Sequence, residues 1–359
     1  GDNTTDDAPA VRRAIAAAPS PCATILFPRG RTFVLGSVPL RNGLTVAVEG
    51  AIRAAPNGQH AYDCIEHNPW AHYQDFGHTY FRNSLFWGIS VENVTVTGGG
   101  TIWGDALTTG ETAPGDGNKM FAFRSSKNVR LERLRLIRGG WFTVIVTDVD
   151  GFIMVDTEIQ AARDGIDICQ CRHVRITRCH IHGGGDDALV LKSDYSTGPP
   201  KPSFDLVISN SVVGSPGASA LRFGSETVGE MYDIRFENIT VTSAAKAAIG
   251  IVSMDGAHIH DVLFRNIIAT HAGIPFFFYI GARNRRPPAP SGAPHLGSIS
   301  RVTVESFSGT QLGAPNKTEH PFWSWPATLD GQDVNATWNV SRPVPVREVL
   351  LRDVFLVFP

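Results

Sequence analysis

The chain is poor in the features that mark several large functional classes. Its 32 Lys and Arg residues nearly balance 34 Asp and Glu residues, for a net charge of −2, and no basic cluster marks a nucleic-acid-binding surface. No apolar run reaches the ~18 residues that a transmembrane helix needs. We therefore expect neither a nucleic-acid partner nor a membrane partner.

Cysteine is also scarce, with five residues in 359. That number is too small for a disulfide scaffold, and an odd count leaves at least one thiol unpaired. Cys169 and Cys171 are two positions apart and are expected on one face of a strand. Since no histidine stands at zinc-finger spacing from them, we interpret them as interior residues and predict no metal and no cofactor.

The sequence starts at Gly1 without a Met or a signal-peptide pattern, so export cannot be read from it directly. We interpret it as a mature or trimmed form. Six N-x-S/T sequons favour a secreted or periplasmic, glycosylated protein. They begin at Asn3, Asn93, Asn238, Asn316, Asn335 and Asn339.

What the chain has in quantity is turn formers and alternating apolar residues. It contains 36 Gly and 23 Pro, and 42% of its residues are hydrophobic, a mixture typical of an all-β protein with many short strands. From Val91 onward, blocks such as KNVRLERLRLIRGG and RHVRITRCHIHGGGDD repeat. Equivalent positions are 22 residues apart at Phe152 and Val174, and 28 apart at Asp233 and Asp261. Since two-residue hairpin signals are scarce, the pattern predicts a parallel β-helix, whose coils carry loops of variable length.

We predict one domain, comprising residues 1–359. Residues 1–20 form an N-terminal cap with an amphipathic helix, for which Thr5 or Asp6 is the predicted N-cap. Residues 58–88 are an inserted, aromatic-rich loop, 91–310 are regular coils, and 313–359 are a C-terminal loop followed by final strands.

Two acidic motifs are separated by about one coil. Asp164 lies in ARDGIDI, and Asp186 and Asp187 lie in GGGDDALVLKS, 22 positions later. Stacked coils would bring these carboxylates roughly 5 Å apart. Glycoside hydrolysis needs one carboxyl group as an acid and one as a base, and crowding raises the pKa of such groups. We therefore predict that Asp164, Asp186 and Asp187 are catalytic, with the bend at Gly183–Gly185 directing both adjacent aspartates to the cleft.

The sequence resembles the polygalacturonase-type glycoside hydrolases of family 28. The segments that carry the resemblance are GDNTTDD at the start, the coil repeats, RDGIDI and GDDALVLKS, and it covers roughly residues 1–310. The resemblance implies a right-handed parallel β-helix and the cleavage of pectin with inversion. It also implies that Asp186 is the general acid, that Asp164 and Asp187 activate water, and that Lys192 contacts substrate or forms an ion pair.

Some family positions differ in this chain. Ala162 stands where the family has Asn, and Ser219 aligns with the family's His. The family's R-I-K motif, which grips a uronate carboxylate, should fall near Gly250–Val252, where neither Arg nor Lys occurs. We therefore interpret the chain as a divergent member and leave the sugar open.

Further substrate-binding candidates lie near the acidic motifs. Arg222 and Glu226, in LRFGSET, follow the position that aligns with the family's His, and Arg283 follows the apolar strand PFFFYIG. Arginine is suited to bidentate recognition of a carboxylate or sulfate. Trp141 lies one coil before Asp164 and is a candidate sugar-stacking platform. The histidines His72, His78, His180 and His182 are interpreted as packed or surface residues.

Two other functions remain open. A polysaccharide lyase or epimerase would use the same fold with a cationic or neutral base, for which Lys192 and Arg222 are the nearby candidates. A non-catalytic glycan-binding β-helix would explain the altered family positions, although all three aspartates argue against it. In each case we expect a monomer that binds a polysaccharide or oligosaccharide.

Overall fold

Nearly all regular structure in this chain is β-strand. The computed structural model describes residues 1–56, 61–110, 117–281, 283–292, 295–313, 328–329, 332–333 and 346–358. Two α-helices, α1 (Ala8–Ala17) and α2 (Phe76–Thr79), and a 3-10 helix (Ala71–Tyr73) occur among them. The strands in chain order are β1 (Asp2–Asp6), β2 (Ala23–Phe27), β3 (Thr32–Leu35), β4 (Val38–Pro39), β5 (Leu44–Val48), β6 (Ala51–Ala54), β7 (Phe86–Ile89), β8 (Glu92–Thr97), β9 (Thr101–Trp103), β10 (Phe121–Arg124), β11 (Lys127–Glu132), β12 (Arg135–Ile137), β13 (Phe142–Thr147), β14 (Asp150–Val155), β15 (Glu158–Gln160), β16 (Asp164–Cys169), β17 (Arg172–Thr177), β18 (His180–His182), β19 (Leu189–Ser193), β20 (Ser203–Ser215), β21 (Leu221–Thr227), β22 (Met231–Ser253), β23 (His258–Thr270), β24 (Ala272–Ile280), β25 (Ser298–Thr310), β26 (Thr328–Leu329), β27 (Gln332–Asp333) and β28 (Val346–Leu356).

Parallel strands from successive coils stack into the three faces of a right-handed β-helix, as predicted. Phe152 pairs with Val174 and Ile234 pairs with Val262, so the 22- and 28-residue spacings are true coil registers. The face that carries the site is built from β4, β7, β10, β13, β16, β19, β21, the end of β22, and β24. We call it the site sheet.

Each coil turns its corners at residues in the left-handed backbone region. Asn210, Asn238 and Asn266 occupy one corner of three successive coils, with φ of 49°, 55° and 53°. Asparagine tolerates this conformation better than most residues. Their side-chain amides also form a ladder, in which Asn238 donates to Asn210 at 3.1 Å and Asn266 donates to Asn238 at 3.0 Å. This corner therefore recurs at the same register in successive coils, within β20, β22 and β23.

Apolar side chains fill the interior of the coil. Ile166, Leu189 and Phe223 come from three neighbouring strands of the site sheet and are fully buried in one continuous core. Phe236 and Phe264 stack in register, with ring centres 4.8 Å apart. Since alternate residues point outward, the same strands carry polar groups on their outer face.

The predicted N-terminal capping helix is present. Helix α1 buries Ala8, Val11 and Ile15 against the core, which closes the end of the solenoid. Its N-cap is Asp7 and neither of the predicted candidates, Thr5 and Asp6, both of which lie in β1. The Asp6 carboxylate still accepts a hydrogen bond from the Ala8 N–H at 2.9 Å.

The long loops differ in part from the sequence prediction. Coil strands begin at Ala23, well before residue 91, and the last residues of the predicted 58–88 loop already belong to β7. We call its described part, residues 61–85, the inserted loop. Of residues 313–345, only Gly313 and the short strands β26 and β27 are described. No helix among the described residues has the length and apolar character needed to cross a membrane.

Candidate active site

The three predicted catalytic aspartates lie on two adjacent coils. Asp164 opens β16, and the N–H of Gly165 donates to the carbonyl oxygen of Asp187 at 3.0 Å, the hydrogen bond expected between neighbouring parallel strands. Asp186 precedes Asp187 in the turn before β19, and its side chain is 31% exposed. The structure thus brings all three carboxylates to one edge of the site sheet.

The glycine turn before these residues is required by close packing. A Cβ atom on Gly184 would lie 2.3 Å from the carbonyl oxygen of Ala162, in the preceding coil. No side chain fits in that space without moving backbone. Gly184 therefore lets the turn close against the coil that carries Asp164, which places Asp186 and Asp187 beside it.

Arg163 links the two coils at this edge. Its Nη2 donates to Asp186 Oδ2 at 3.1 Å, and its Nη1 lies 3.8 Å from Asp164 Oδ1. The guanidinium also lies over the ring of Trp141, 4.6 Å from its centre, a cation–π arrangement. Arg163 was not singled out from the sequence, although its place beside Asp164 in the ARDGIDI motif was a signal.

Burial and crowding change the acidity of two of these aspartates. Burial and the neighbouring Asp167 raise the pKa of Asp164 well above its usual range, and Lys192 partly opposes this. Burial also raises the pKa of Asp187, partly opposed by Arg222. Such carboxyl groups retain protons at higher pH than exposed ones do, which suits acid–base chemistry.

Asp187 is held by the next coil of the site sheet. The backbone N–H of Ser219 donates to its Oδ1 at 2.8 Å, which fixes the direction of this carboxylate. The Ser219 side chain is itself fully buried. Ser219 therefore contributes to the site through its backbone N–H.

The family assignment rests on the sequence match. Residues 22–270 match Glycosyl hydrolases family 28, which is more than half of the chain. The chain belongs to this family. It is therefore a glycoside hydrolase of the pectin-degrading type, as the sequence resemblance implied. No curated protein sequence matches the chain.

Solved structures of similar shape support the same fold. A hyperthermoactive exopolygalacturonase from Thermotoga maritima aligns with a TM-score of 0.76 and 18% identity, over 99% of this chain and 84% of that one. A family 28 exopolygalacturonase from Yersinia enterocolitica gives 0.72 and 16%, over 99% and 69%. A polygalacturonase from Erwinia carotovora ssp. carotovora gives 0.68 and 17%, over 99% and 91%.

Beside the aspartates, this family 28 chain buries an ammonium group among carboxylates. The Lys192 Nζ lies 2.7 Å from Asp167, 3.5 Å from Glu226 and 3.7 Å from Asp164. Burial opposes its charge, but these three carboxylates raise the pKa of Lys192 well above its usual value. Lys192 is therefore held protonated, and it counters the charge of the predicted base Asp164.

Two arginines extend this network toward the C-terminal coils. Arg283 donates to Glu226 at 3.0 Å and to Asp255 at 2.5 Å, and its side chain is 3% exposed. Although burial acts in the other direction, Arg283 and Lys192 lower the pKa of Glu226 well below its usual range. Arg285 extends this charged network to the inserted loop, where its Nη1 lies 2.5 Å from Asp75 Oδ1.

The inserted loop contributes a histidine that sequence reasoning assigned to packing or to the surface. His78, in α2, is 1% exposed. Its Nδ1 lies 2.8 Å from Asp194 Oδ2, and Lys192 donates to its Nε2 at 3.1 Å. Its ring meets Phe142 edge-on, 5.0 Å between centres. The aromatic, His-containing composition of the loop was the available signal, but it did not indicate which strand the loop covers.

One group of side chains has the composition of a metal site. A ligand atom from each of His78, Cys169 and Asp194 lies within 4.8 Å of the other two. Both His78 nitrogens and both Asp194 oxygens already have polar partners, however, and the Lys192 ammonium lies against the ring. These contacts account for the group without an ion.

Arg222 lies beside a glycine of the next coil, Gly250. It is 3% exposed, and a Cβ atom on its register partner Gly250 would lie 2.8 Å from its Nη1. Gly250 is the position near which the family's R-I-K motif was expected. The arginine of one coil thus extends over the glycine of the next, and it supplies positive charge near Asp187.

The six predicted substrate-binding side chains are all largely buried. Five have exposures of 7% or less, namely Trp141, Lys192, Ser219, Arg222 and Glu226, and the Arg283 side chain is equally covered. They are covered because the inserted loop packs over the site sheet. At Trp141, Gly77 approaches so closely that a Cβ atom would lie 2.2 Å from the indole Nε1. Their direct contact with substrate stays a prediction.

Proposed function

We propose that this protein hydrolyses glycosidic bonds in a pectin-type, uronic-acid-containing polysaccharide, with inversion at the anomeric carbon. In this mechanism Asp186 donates its proton to the leaving glycosidic oxygen as the carbon–oxygen bond breaks. Asp164 and Asp187 hold a water molecule that attacks the opposite face of the sugar, and one of them takes its proton. The observation that carries this proposal is the meeting of three carboxylates from two coils at one edge of the site sheet, two of them in contact with Arg163.

The contacts of Arg163 limit the distance between the proposed acid and the proposed base. One guanidinium touches both Asp164 and Asp186, at 3.8 Å and 3.1 Å. Given the small width of that group, the nearest oxygens of the two carboxylates lie within roughly 9 Å of each other. Inverting enzymes place their acid and base about 6.5 to 9.5 Å apart, and this upper bound is consistent with such a spacing.

The state of Lys192 argues for hydrolysis rather than elimination. A lyase or epimerase needs an unprotonated base beside the sugar, but three carboxylates hold Lys192 in its charged form. The retained aspartates likewise favour an enzyme over a non-catalytic glycan-binding protein.

Attack near a chain end is the mode of action that the inserted loop favours. Outward-facing charged groups on a solenoid strand are normally solvated, yet Asp167, Lys192 and Glu226 are at most 7% exposed. The loop covers them and is tied to the far edge of the sheet through Asp75 and Arg285. A covered groove stops a long substrate, and two structural relatives are named exopolygalacturonases. We propose exo action by a monomer that is secreted or periplasmic, in line with the sequons.

The test is a panel of pectic and neutral polysaccharides with a reducing-sugar readout. We expect the wild type to release sugar from a uronic-acid polymer without new absorbance from a C=C bond. Asp186→Asn should lose about 10²- to 10⁴-fold in kcat, the range for one general acid. The matched control is Asp205→Asn, whose carboxylate pairs with Arg175 in an exposed position, and it should keep full activity. Unchanged turnover by Asp186→Asn would overturn the assignment.

A further inference from the structure

We propose that Arg163 binds the carboxylate of a uronic acid residue next to the scissile bond and releases Asp186 when it does so. This inference rests on the proposed function, because it names the feature of the substrate that the same site recognises. It assigns a specificity-determining role to a residue that precedes the acidic pair in sequence and bridges it in space.

Exposure separates Arg163 from other cations of the site. Its side chain is 29% exposed, whereas the side chains of Lys192 and Arg283 are 8% and 3% exposed and Arg222 is 3% exposed. The last three face carboxylates in the covered part of the sheet, and Arg285, whose side chain is 25% exposed, is paired with Asp75 of the inserted loop. Arg163 lies at the open edge, beside the half-exposed Asp186, where a sugar chain can approach.

The guanidinium of Arg163 is arranged to receive an anion. Trp141 supports its face at 4.6 Å, which fixes the plane in which its N–H groups point. Nη2 donates to Asp186, but Nη1 is buried and makes no hydrogen bond, with Asp164 at the longer distance of 3.8 Å. A planar fork with an unused donor matches the bidentate geometry of a carboxylate.

Competition for Arg163 then couples substrate recognition to catalysis. Without substrate, Arg163 Nη2 donates to Asp186 Oδ2 at 3.1 Å, so this carboxylate is engaged by the arginine and not by the leaving glycosidic oxygen. A substrate carboxylate that takes over the guanidinium removes this partner and frees Asp186 to approach the leaving oxygen. A neutral sugar has no group that can displace Asp186, so the acid stays paired.

The first experiment measures binding in the Asp187→Asn background, which prevents turnover. The ligands are an oligogalacturonide and the same oligosaccharide after chemical reduction of its carboxyl groups, titrated by calorimetry. We expect Arg163→Gln to weaken binding of the acidic ligand about 10- to 100-fold and to leave the reduced ligand within about threefold. Arg178→Gln, which removes an exposed arginine that pairs with Asp156 across coils, is the matched control and should change neither.

The second experiment measures hydrolysis of both ligands in the otherwise wild-type chain. We expect Arg163→Gln to slow the acidic substrate while the reduced substrate is cleaved as fast as before or faster, because Asp186 has lost its competing partner. An equal loss on both substrates would show that Arg163 only positions Asp186, and would overturn the inference, as would equal binding of the two ligands. Selective binding without any hydrolysis would instead contradict the proposed function and leave the recognition role of Arg163 standing.

Discussion

Replacement of Glu226 by Gln tests whether the buried network beside the aspartates holds this part of the fold together. The Glu226 carboxylate lies 3.0 Å from Arg283 and 3.5 Å from Lys192, and all three side chains are less than 10% exposed. Glutamine keeps the shape and one hydrogen-bond acceptor but removes the negative charge. Two buried cations then lose a shared partner.

The expected cost follows from this burial. Breaking a buried ion pair from one side costs about 3 to 5 kcal/mol, because the remaining charge stays desolvated. Since glutamine can still accept one hydrogen bond, we expect a loss of about 3 kcal/mol in the free energy of unfolding and a fall in Tm of about 4 °C for a chain of this length. Glu305→Gln is the control, because Glu305 also pairs with two arginines, Arg265 and Arg352, but at the surface. Its Tm should barely change.

The loss of stability caused by Glu226→Gln should also depend on pH in a defined direction. The folded state lowers the pKa of Glu226 well below 4.5, so its contribution to stability is complete above that ordinary value and is lost as the pH falls through the folded pKa. The difference between wild type and Glu226→Gln should therefore be largest near pH 7 and shrink below about pH 4.5. Thermal unfolding by circular dichroism between pH 3 and 8 measures this. A difference that is independent of pH, or no larger than that of Glu305→Gln, would refute the reasoning.

Two further predictions concern the inserted loop and the thiols. His78→Ala should lower kcat/KM about 10- to 100-fold, because Lys192 loses the hydrogen-bond acceptor that orients it toward Asp164. His78→Gln should recover part of this loss. Replacement of the exposed His72 by Ala should leave kcat/KM unchanged. Equal activity of the Ala and Gln variants would contradict the orienting role. A water-soluble disulfide reagent should label two thiols in the native protein, Cys22 and Cys64, and all five thiols after unfolding. The other three cysteines are buried. Burial also raises the pKa of Cys171 to about 12 and that of Cys179 to about 11, so these thiols stay protonated and unreactive. A third rapidly labelled thiol in the native protein would contradict this arrangement.

Local regularity explains why the coils and the aspartates were predictable. The alternation of apolar residues predicts the pairing of Phe152 with Val174. One coil length after Asp164, the chain reaches Asp187 on the neighbouring strand. A corner shows the limit of such reasoning. Cys169 and Cys171 are two apart, yet only Cys171 joins the core, because β16 ends at Cys169 and Gln170 adopts a left-handed conformation.

Contacts made by the inserted loop were not predictable in the same way. His78 reaches Lys192 across 114 positions, and Arg285 reaches Asp75 across 210. No periodic pattern relates these residues, since the loop is irregular and its docking depends on shape and charge in three dimensions. Burial of the predicted substrate contacts follows from that docking, and so it too was invisible in the sequence.

The same loop changes how the solenoid should behave as a cooperative unit. In a simple repeat protein each coil touches only its neighbours, so unfolding can start at one end and proceed coil by coil. Here Asn68 donates to the carbonyl oxygen of Ser196, 128 positions away, and the loop thereby ties the coil before β7 to the one that follows β19. The coils between these points cannot fray separately. Amide exchange across β10, β13, β16 and β19 should therefore occur in a single opening event, while the coils after β24 open on their own.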